Sequence, residues 1–208
     1  MHFHTYLERV FGSRAKMKLL EVFFTNSDTE FTGRELARRI DFTPSRVHSI
    51  LKELVSENLF RMRRTGRSYL FSLNHDSFLA EKLKYIFSEE YSPIKRLQKI
   101  ISSHLSEKNI YSTILFGSIA RRKEDPDSDI DLFCIVSDKS DKEEIMKKLL
   151  KLNDLTLSLF GNSVSPTIFT TSELHKGFKR GEALIQELLR DGILLAGKPL
   201  LDIVTEVG

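Results

Sequence analysis

The sequence predicts an α+β protein with a basic, helix-rich N-terminal part that ends in a β-hairpin, followed by a small mixed sheet flanked by helices. Three observations carry this prediction. Residues 14–59 show helical periodicity punctuated by capping residues and run into two β-rich arms around Gly66. Ser92-Pro93 interrupts a later helical stretch. Residues 110–116 and 130–136 are apolar runs of strand length, and the loop between them holds Gly117-Ser118 at one end and Asp129 and Asp131 at the other.

Taken in order, RAKMKLLEVFFT (14–25) places Met17, Leu20, Phe23 and Phe24 at helical spacing, which predicts an amphipathic first helix. Thr32 and Glu35 stand three apart as a capping box ahead of Leu36, Ala37 and Ile40, so a short second helix starts there. A third helix begins with Thr43 as N-cap and Pro44 at the first helical position, where its missing N–H costs nothing. Val47, Ile50, Leu51, Leu54 and Val55 form its buried stripe. Ser45, Arg46, His48, Ser49 and Lys52 are left free near its N-terminal end, and a lone histidine of this kind reads as solvated. After Leu59, the arms of FRMRRTGRSYLFSLN flank a turn at Thr65-Gly66, with Arg61, Arg63, Arg64 and Arg67 near the tip.

Charge is unevenly divided. Residues 1–75 carry 13 Lys and Arg against 8 Asp and Glu, and the remainder 19 against 21, within an overall net charge of +3. The basic half is therefore the polyanion candidate. Cys134 is the only cysteine and falls in a predicted buried strand, so it reads as a core thiol and no intrachain disulfide can form. No apolar run approaches the ~18 residues of a membrane span, and a soluble cytoplasmic protein is expected. His2, His4, His75, His104 and His175 lack metal-ligand spacing, so no zinc site is proposed.

Three helices followed by a basic hairpin resemble a winged helix-turn-helix DNA-binding domain over about residues 5–75. The resemblance implies double-stranded DNA as partner, with Ser45, Arg46, Ser49 and Lys52 of the third helix in the major groove and Arg61, Arg63, Arg64 and Arg67 of the wing on phosphates or the minor groove. Winged helices also serve as protein-interaction modules. The expected domains are 1–75, a connecting helix and hinge over 76–93, and a second domain over 94–208. The connecting helix either pairs two copies of the chain or packs on its own domain.

In the second domain, IYSTILF (110–116) and IDLFCIV (130–136) read as adjacent strands, DKEEIMKKLLKLNDLTLSLF as a helix and VSPTIFT as a third strand. SELHKGFKRGEALIQELLRDG supplies terminal helices, and ILLAGKPL a closing strand and turn. Side chains two apart on a strand share a face, so Asp129 and Asp131 can grip one divalent cation while Ile130 and Leu132 point the other way. Gly117 has no Cβ to obstruct a phosphate, Ser118 offers a hydroxyl and an N–H, and Ile119 to Lys123 is expected to open a helix with its positive end at the anion.

The spacing G-S-x10-D-x-D, with the basic run Arg121, Arg122, Lys123 after the Gly-Ser pair, resembles the signature of minimal nucleotidyltransferases of the DNA polymerase β superfamily. It covers about residues 94–200. The resemblance implies a nucleoside triphosphate, expected to be ATP, held by Gly117 and Ser118 with Arg121 or Arg122 adding charge, and Mg²⁺ on Asp129 and Asp131 as the catalytic carboxylates. It also implies transfer of a nucleoside monophosphate to an acceptor hydroxyl. The family's third-strand carboxylate is replaced here by Ser165, a neutral and poor ligand. Glu173 reads as the capping-box partner of Thr170, and Asp154 lies on the polar face of the preceding helix. Three readings stay open: an active transferase acting on a protein or small molecule, a DNA-binding regulator that senses a nucleotide, and an antitoxin-like protein with a toxin partner.

Overall fold

The chain divides into two compact units, one of Thr5–Ser92 and one of Met1–His4 with Pro93–Gly208. The structure, a computed structural model, describes residues 1, 3–5, 11–88, 92–105 and 109–205. His2 and residues 89–91 of the expected hinge lie outside the described residues.

In the first unit, α1 (Arg14–Thr25) starts where the Ser13 hydroxyl accepts from Lys16 N at 3.4 Å. A two-residue strand, β1 (Phe31–Thr32), leads into α2 (Gly33–Ile40), whose N-cap Thr32 accepts from Glu35 N at 3.2 Å. Asp41 closes α2 in the left-handed region, at φ 58°. α3 (Pro44–Ser56) begins after Thr43 as expected, although the Thr43 hydroxyl makes no cap bond to the helix backbone. β2 (Phe60–Thr65) and β3 (Ser68–Leu73) pair antiparallel from Phe60↔Leu73 to Thr65↔Ser68. The turn is therefore Gly66-Arg67, one residue later than the sequence suggests, with Gly66 at φ +56° supplying the reversal.

β1 adds to the outer edge of β3, giving a three-stranded sheet in the order β1-β3-β2. Leu19, Phe23, Phe31, Leu36, Val47 and Leu51 are buried in the core. Phe23 sits 4.2 Å from the Phe60 ring and 5.5 Å from Phe31. α4 (Phe78–Phe87) follows, and its Phe87 ring stacks on Phe24 at 4.9 Å.

The second unit opens with α5 (Pro93–His104) and is built on a four-stranded sheet. Its strands are β4 (Ile110–Leu115), β5 (Ile130–Val136), β6 (Val164–Thr170) and β7 (Ile193–Gly197), in the order β6-β5-β4-β7. β5 is antiparallel to β4 and parallel to β6. A parallel pair needs a crossover, and α7 (Lys142–Phe160) provides it, bounded by Asp141 accepting from the Glu143 and Glu144 N–H groups and by Gly161 at φ +72°.

A one-turn helix, α6 (Gly117–Ala120), lies between β4 and β5. α8 (Thr171–Arg180), α9 (Ala183–Asp191) and α10 (Leu200–Thr205) complete the unit. Alternation along β5 divides the core into two. Ile130, Leu132, Cys134 and Val136 pack with α5 and α7, while Phe133 and Ile135 pack with α8, α9 and α10. Cys134 is fully buried and its thiol is pushed up to about 11 by burial, the state of a core thiol. Among the described residues no helix is long and apolar enough to cross a membrane.

Candidate functional site

The loop between β4 and β5 folds back so that its two ends meet. Phe116 N donates to Asp131 O at 3.0 Å, which sets Gly117 against the start of β5. Gly117 is buried at φ +72°, and a Cβ there would stand 2.0 Å from Asp131 Oδ2. The bare face of the glycine is thus filled by the aspartate carboxylate. The helix expected from Ile119 begins earlier, at Gly117, and ends at Ala120. Arg122 at φ +57° stops it and turns the chain toward Asp129, so Arg121 to Lys123 lie past the helix instead of inside it.

The rest of the loop is tightly tied. Asp125 N bonds Ser128 Oγ at 2.9 Å and Ser128 N bonds Asp125 O at 3.0 Å. Buried Asn162 donates through Nδ2 to Pro126 O at 3.0 Å and to Ser128 O at 2.8 Å. Ile130 N donates to Ser163 O at 2.7 Å, and the Ser163 hydroxyl donates to Asp129. Asp129 is exposed and Asp131 half-buried. Ser165 is the register partner of Asp131 on β6, and its hydroxyl favours the charged form of that carboxylate.

Burial lifts the Asp131 carboxyl above its ordinary value and the Asp129 charge lifts it further, against the opposing pull of Arg121 and the Ser165 hydroxyl. A half-buried carboxylate with a second, exposed one repelling it makes a site that a cation would relieve. Mg²⁺ suits this donor set because it binds through one or two carboxylates and takes its other ligands from phosphate oxygens and water. Arg121 itself is held by Glu187 of α9, a partner that sequence reading missed. The two are 66 residues apart, and no local pattern links them. Among the described residues no group of three or more His, Cys, Asp and Glu could hold a metal ion. Glu173 caps α8 in a reciprocal box with Thr170, and Asp154 is exposed on α7.

In the first unit, Ser45, Arg46, Ser49 and Lys52 are all exposed on α3, and Arg61, Arg63, Arg64 and Arg67 are all exposed on the hairpin. Their availability differs. Arg63 grips Glu30 with two nitrogens, Nε at 2.7 Å, and Arg61 is paired with Asp76. Arg64 Nε bonds only Gly66 O, at 3.3 Å, among the described residues. Arg67 lines a cleft of about 470 Å³ together with Arg34, Pro44, His48, Tyr69 and Phe71. Arg34 and Tyr69 were not legible as site residues, because only the pairing of β1 with β3 brings the start of α2 beside the hairpin.

Residues 98–198 match the model of the family described as polymerase beta, nucleotidyltransferase. Among solved structures, the chain is similar to a toxin-antitoxin crystallised with AMP-PNP, at 17% identity over 55% of this chain and 82% of that one, TM-score 0.38. A mutant of the toxin-antitoxin MntA-HpeT gives 16% identity over 54% and 82%, TM-score 0.37. TrmBL2, an archaeal chromatin protein described as showing a novel mode of DNA binding, gives 13% identity over 82% and 70%, TM-score 0.25. TM-scores this low do not establish a common fold. No curated protein matches.

Proposed function

We propose that the nucleotidyltransferase domain matched over residues 98–198 binds a nucleoside triphosphate with Mg²⁺ and transfers its nucleoside monophosphate to a hydroxyl acceptor, while the Thr5–Ser92 unit is a winged helix-turn-helix that binds double-stranded DNA. The observation that carries the nucleotide reading is the seating of the Asp131 carboxylate against the bare face of Gly117. That approach brings the Gly117-Ser118 backbone and a cation-binding acid to one point. ATP is the triphosphate proposed.

The chain's own residues have separable tasks. Gly117 leaves room for the Asp131 carboxylate beside the backbone, and Ser118 offers phosphate oxygens an N–H and a hydroxyl. Asp129 and Asp131 would hold Mg²⁺, which when bound neutralises phosphate charge and orients an in-line displacement. Arg121, steadied by Glu187, adds positive charge beside Asp131, and charge placed in advance of the reaction is what stabilises its transition state. In the transfer, the acceptor oxygen bonds to the α-phosphorus, the bond to pyrophosphate breaks with its electron pair leaving on pyrophosphate, and the hydroxyl proton passes to solvent water.

A second reading is favoured by Ser165. A serine stands opposite Asp131 where the resembled family places an acid, so the site has no evident base for that hydroxyl. On this reading the nucleotide is held as an effector and not turned over.

The separating experiment incubates the full chain with Mg²⁺ and labelled ATP. Pyrophosphate release that disappears in the Asp129→Asn, Asp131→Asn double variant supports transfer. Binding without release supports the effector reading. No binding to the wild type removes both. For the first unit, DNA affinity is measured as a function of salt, because protein groups seated on phosphates give a linear dependence of log K on log salt. A salt-independent affinity, or none, removes the DNA reading.

A further inference from the structure

The segment Met1–His4 belongs to the same compact unit as the nucleotide site, although the whole of the other unit follows it in sequence. Phe3 is 2% exposed, with its ring 5.0 Å from that of Phe160 at the end of α7, in the apolar cluster that contains Ile130 and Leu132. His4 places both its backbone N and its ring Nδ1 at 3.0 Å from Glu124 Oε1. Glu124 lies in the loop between Ser118 and Asp129, and its side chain is 3% exposed. The Met1 nitrogen donates to Pro126 O of the same loop at 3.0 Å.

A carboxylate this buried is costly unless it is bonded, the more so when charged. Its partners here come from 120 residues away. Burial pushes the Glu124 carboxyl up, but its own N–H and the two His4 groups outweigh that and hold it below the ordinary value. The charged form is therefore the one the clasp is built around. The loop that ends in Asp129 is held by residues that precede the other unit.

We propose that Phe3 and His4 are positioning residues for the nucleotide site: Phe3 seats the segment beside Phe160, and His4 clasps the 121–129 loop through Glu124 and so holds Asp129 in place beside Asp131. His4 acts through Glu124 and Phe3 through the seating of His4, and the proposal rests on the nucleotide reading above.

The test uses the full chain and the variants His4→Ala, Phe3→Ala and His4→Asn. The asparagine amide can donate from about where Nδ1 stands, so it is the rescuing change. Amide hydrogen exchange without ligand is followed over 117–129 and, as an internal control, over 44–73. Release of the clasp is expected to speed exchange over 117–129 by about tenfold or more in His4→Ala and Phe3→Ala, with 44–73 unchanged and His4→Asn close to wild type. With ATP as probe, the Mg²⁺ concentration for half-maximal binding is expected to rise by about tenfold in His4→Ala and to recover in His4→Asn. Unchanged exchange over 117–129 in His4→Ala overturns the clasp. Faster exchange with an unmoved Mg²⁺ midpoint overturns the positioning role. A wild type that binds no ATP removes the nucleotide reading, and the exchange result then decides the clasp alone.

Discussion

At residue 117 a methyl group would collide with the Asp131 carboxylate, and the backbone conformation there, φ +72°, is one that residues with a Cβ adopt only under strain. Gly117→Ala is expected to destabilise the protein by about 1–3 kcal/mol and to abolish nucleotide binding, checked by thermal melting and calorimetry. Asp131 tests the electrostatics. Its carboxyl is raised in the folded state by burial and by Asp129, so the native protein binds that proton more readily than the unfolded chain does. The charged form is therefore a burden at neutral pH, and the burden fades as pH falls through the raised value toward the unfolded one, near 3.9. Asp131→Asn in the presence of a metal chelator should raise Tm at pH 7 by on the order of 2–4 °C, with the gain shrinking on acidification. No gain at pH 7 would mean that Arg121 and Ser165 already offset the repulsion. The Gly-Ser and Asp-x-Asp pair was legible in sequence because each half has its own chemistry. The grips of Glu187 on Arg121 and of His4 on Glu124 were not, since nothing local marks either pair.

The hairpin shows the same division at the scale of an element. Its arms and the glycine at its tip were visible as β-rich runs around a turn residue, yet the turn falls at Gly66-Arg67 because Thr65 and Ser68 pair across it. β1 was not visible, since two residues carry no periodicity, and α10 follows a segment that read only as strand and turn. β1 matters for the DNA reading because it brings Arg34 to the cleft that Arg67 lines. Arg63, in contrast, is already held by Glu30, which keeps the arginine charged and the Glu30 carboxyl below its ordinary range. An exposed pair of this kind is worth little to stability, but its acid partner opposes any phosphate. Arg64→Ala with Arg67→Ala is expected to lower the salt slope of DNA binding by roughly 1–2, about 0.9 for each phosphate no longer neutralised. Arg63→Ala should lower it less, and Glu30→Gln should raise affinity. Equal slopes for Arg63→Ala and Arg64→Ala would place Arg63 on the DNA despite its partner.

Across the whole molecule, charge and Pro93 pointed to a basic half and a motif-bearing half, and nothing in the sequence pointed to the return of Met1–His4 to the second unit. Four residues carry no pattern, and their place is set by a phenylalanine filling a gap beside Phe160 and by a buried glutamate that needs a donor. The consequence is topological. The Thr5–Ser92 unit is joined to the second unit at both of its ends, at His4 and at Pro93, and the first junction clasps the loop that carries Asp129. On the proposed function, any coupling between DNA on that unit and nucleotide at that loop has this junction as a route, and linkage requires the coupling to be reciprocal. ATP with Mg²⁺ is expected to change DNA affinity by a factor within about 5–150, and DNA to change ATP affinity by the same factor. Both are measured by titration at one salt concentration, because the DNA term alone moves steeply with salt. His4→Ala should bring both factors toward one while leaving DNA affinity without nucleotide unchanged, since no residue of α3 or the hairpin is altered. A factor of one in the wild type would mean that the two units act independently, and would leave the clasp as a local device of the nucleotide site.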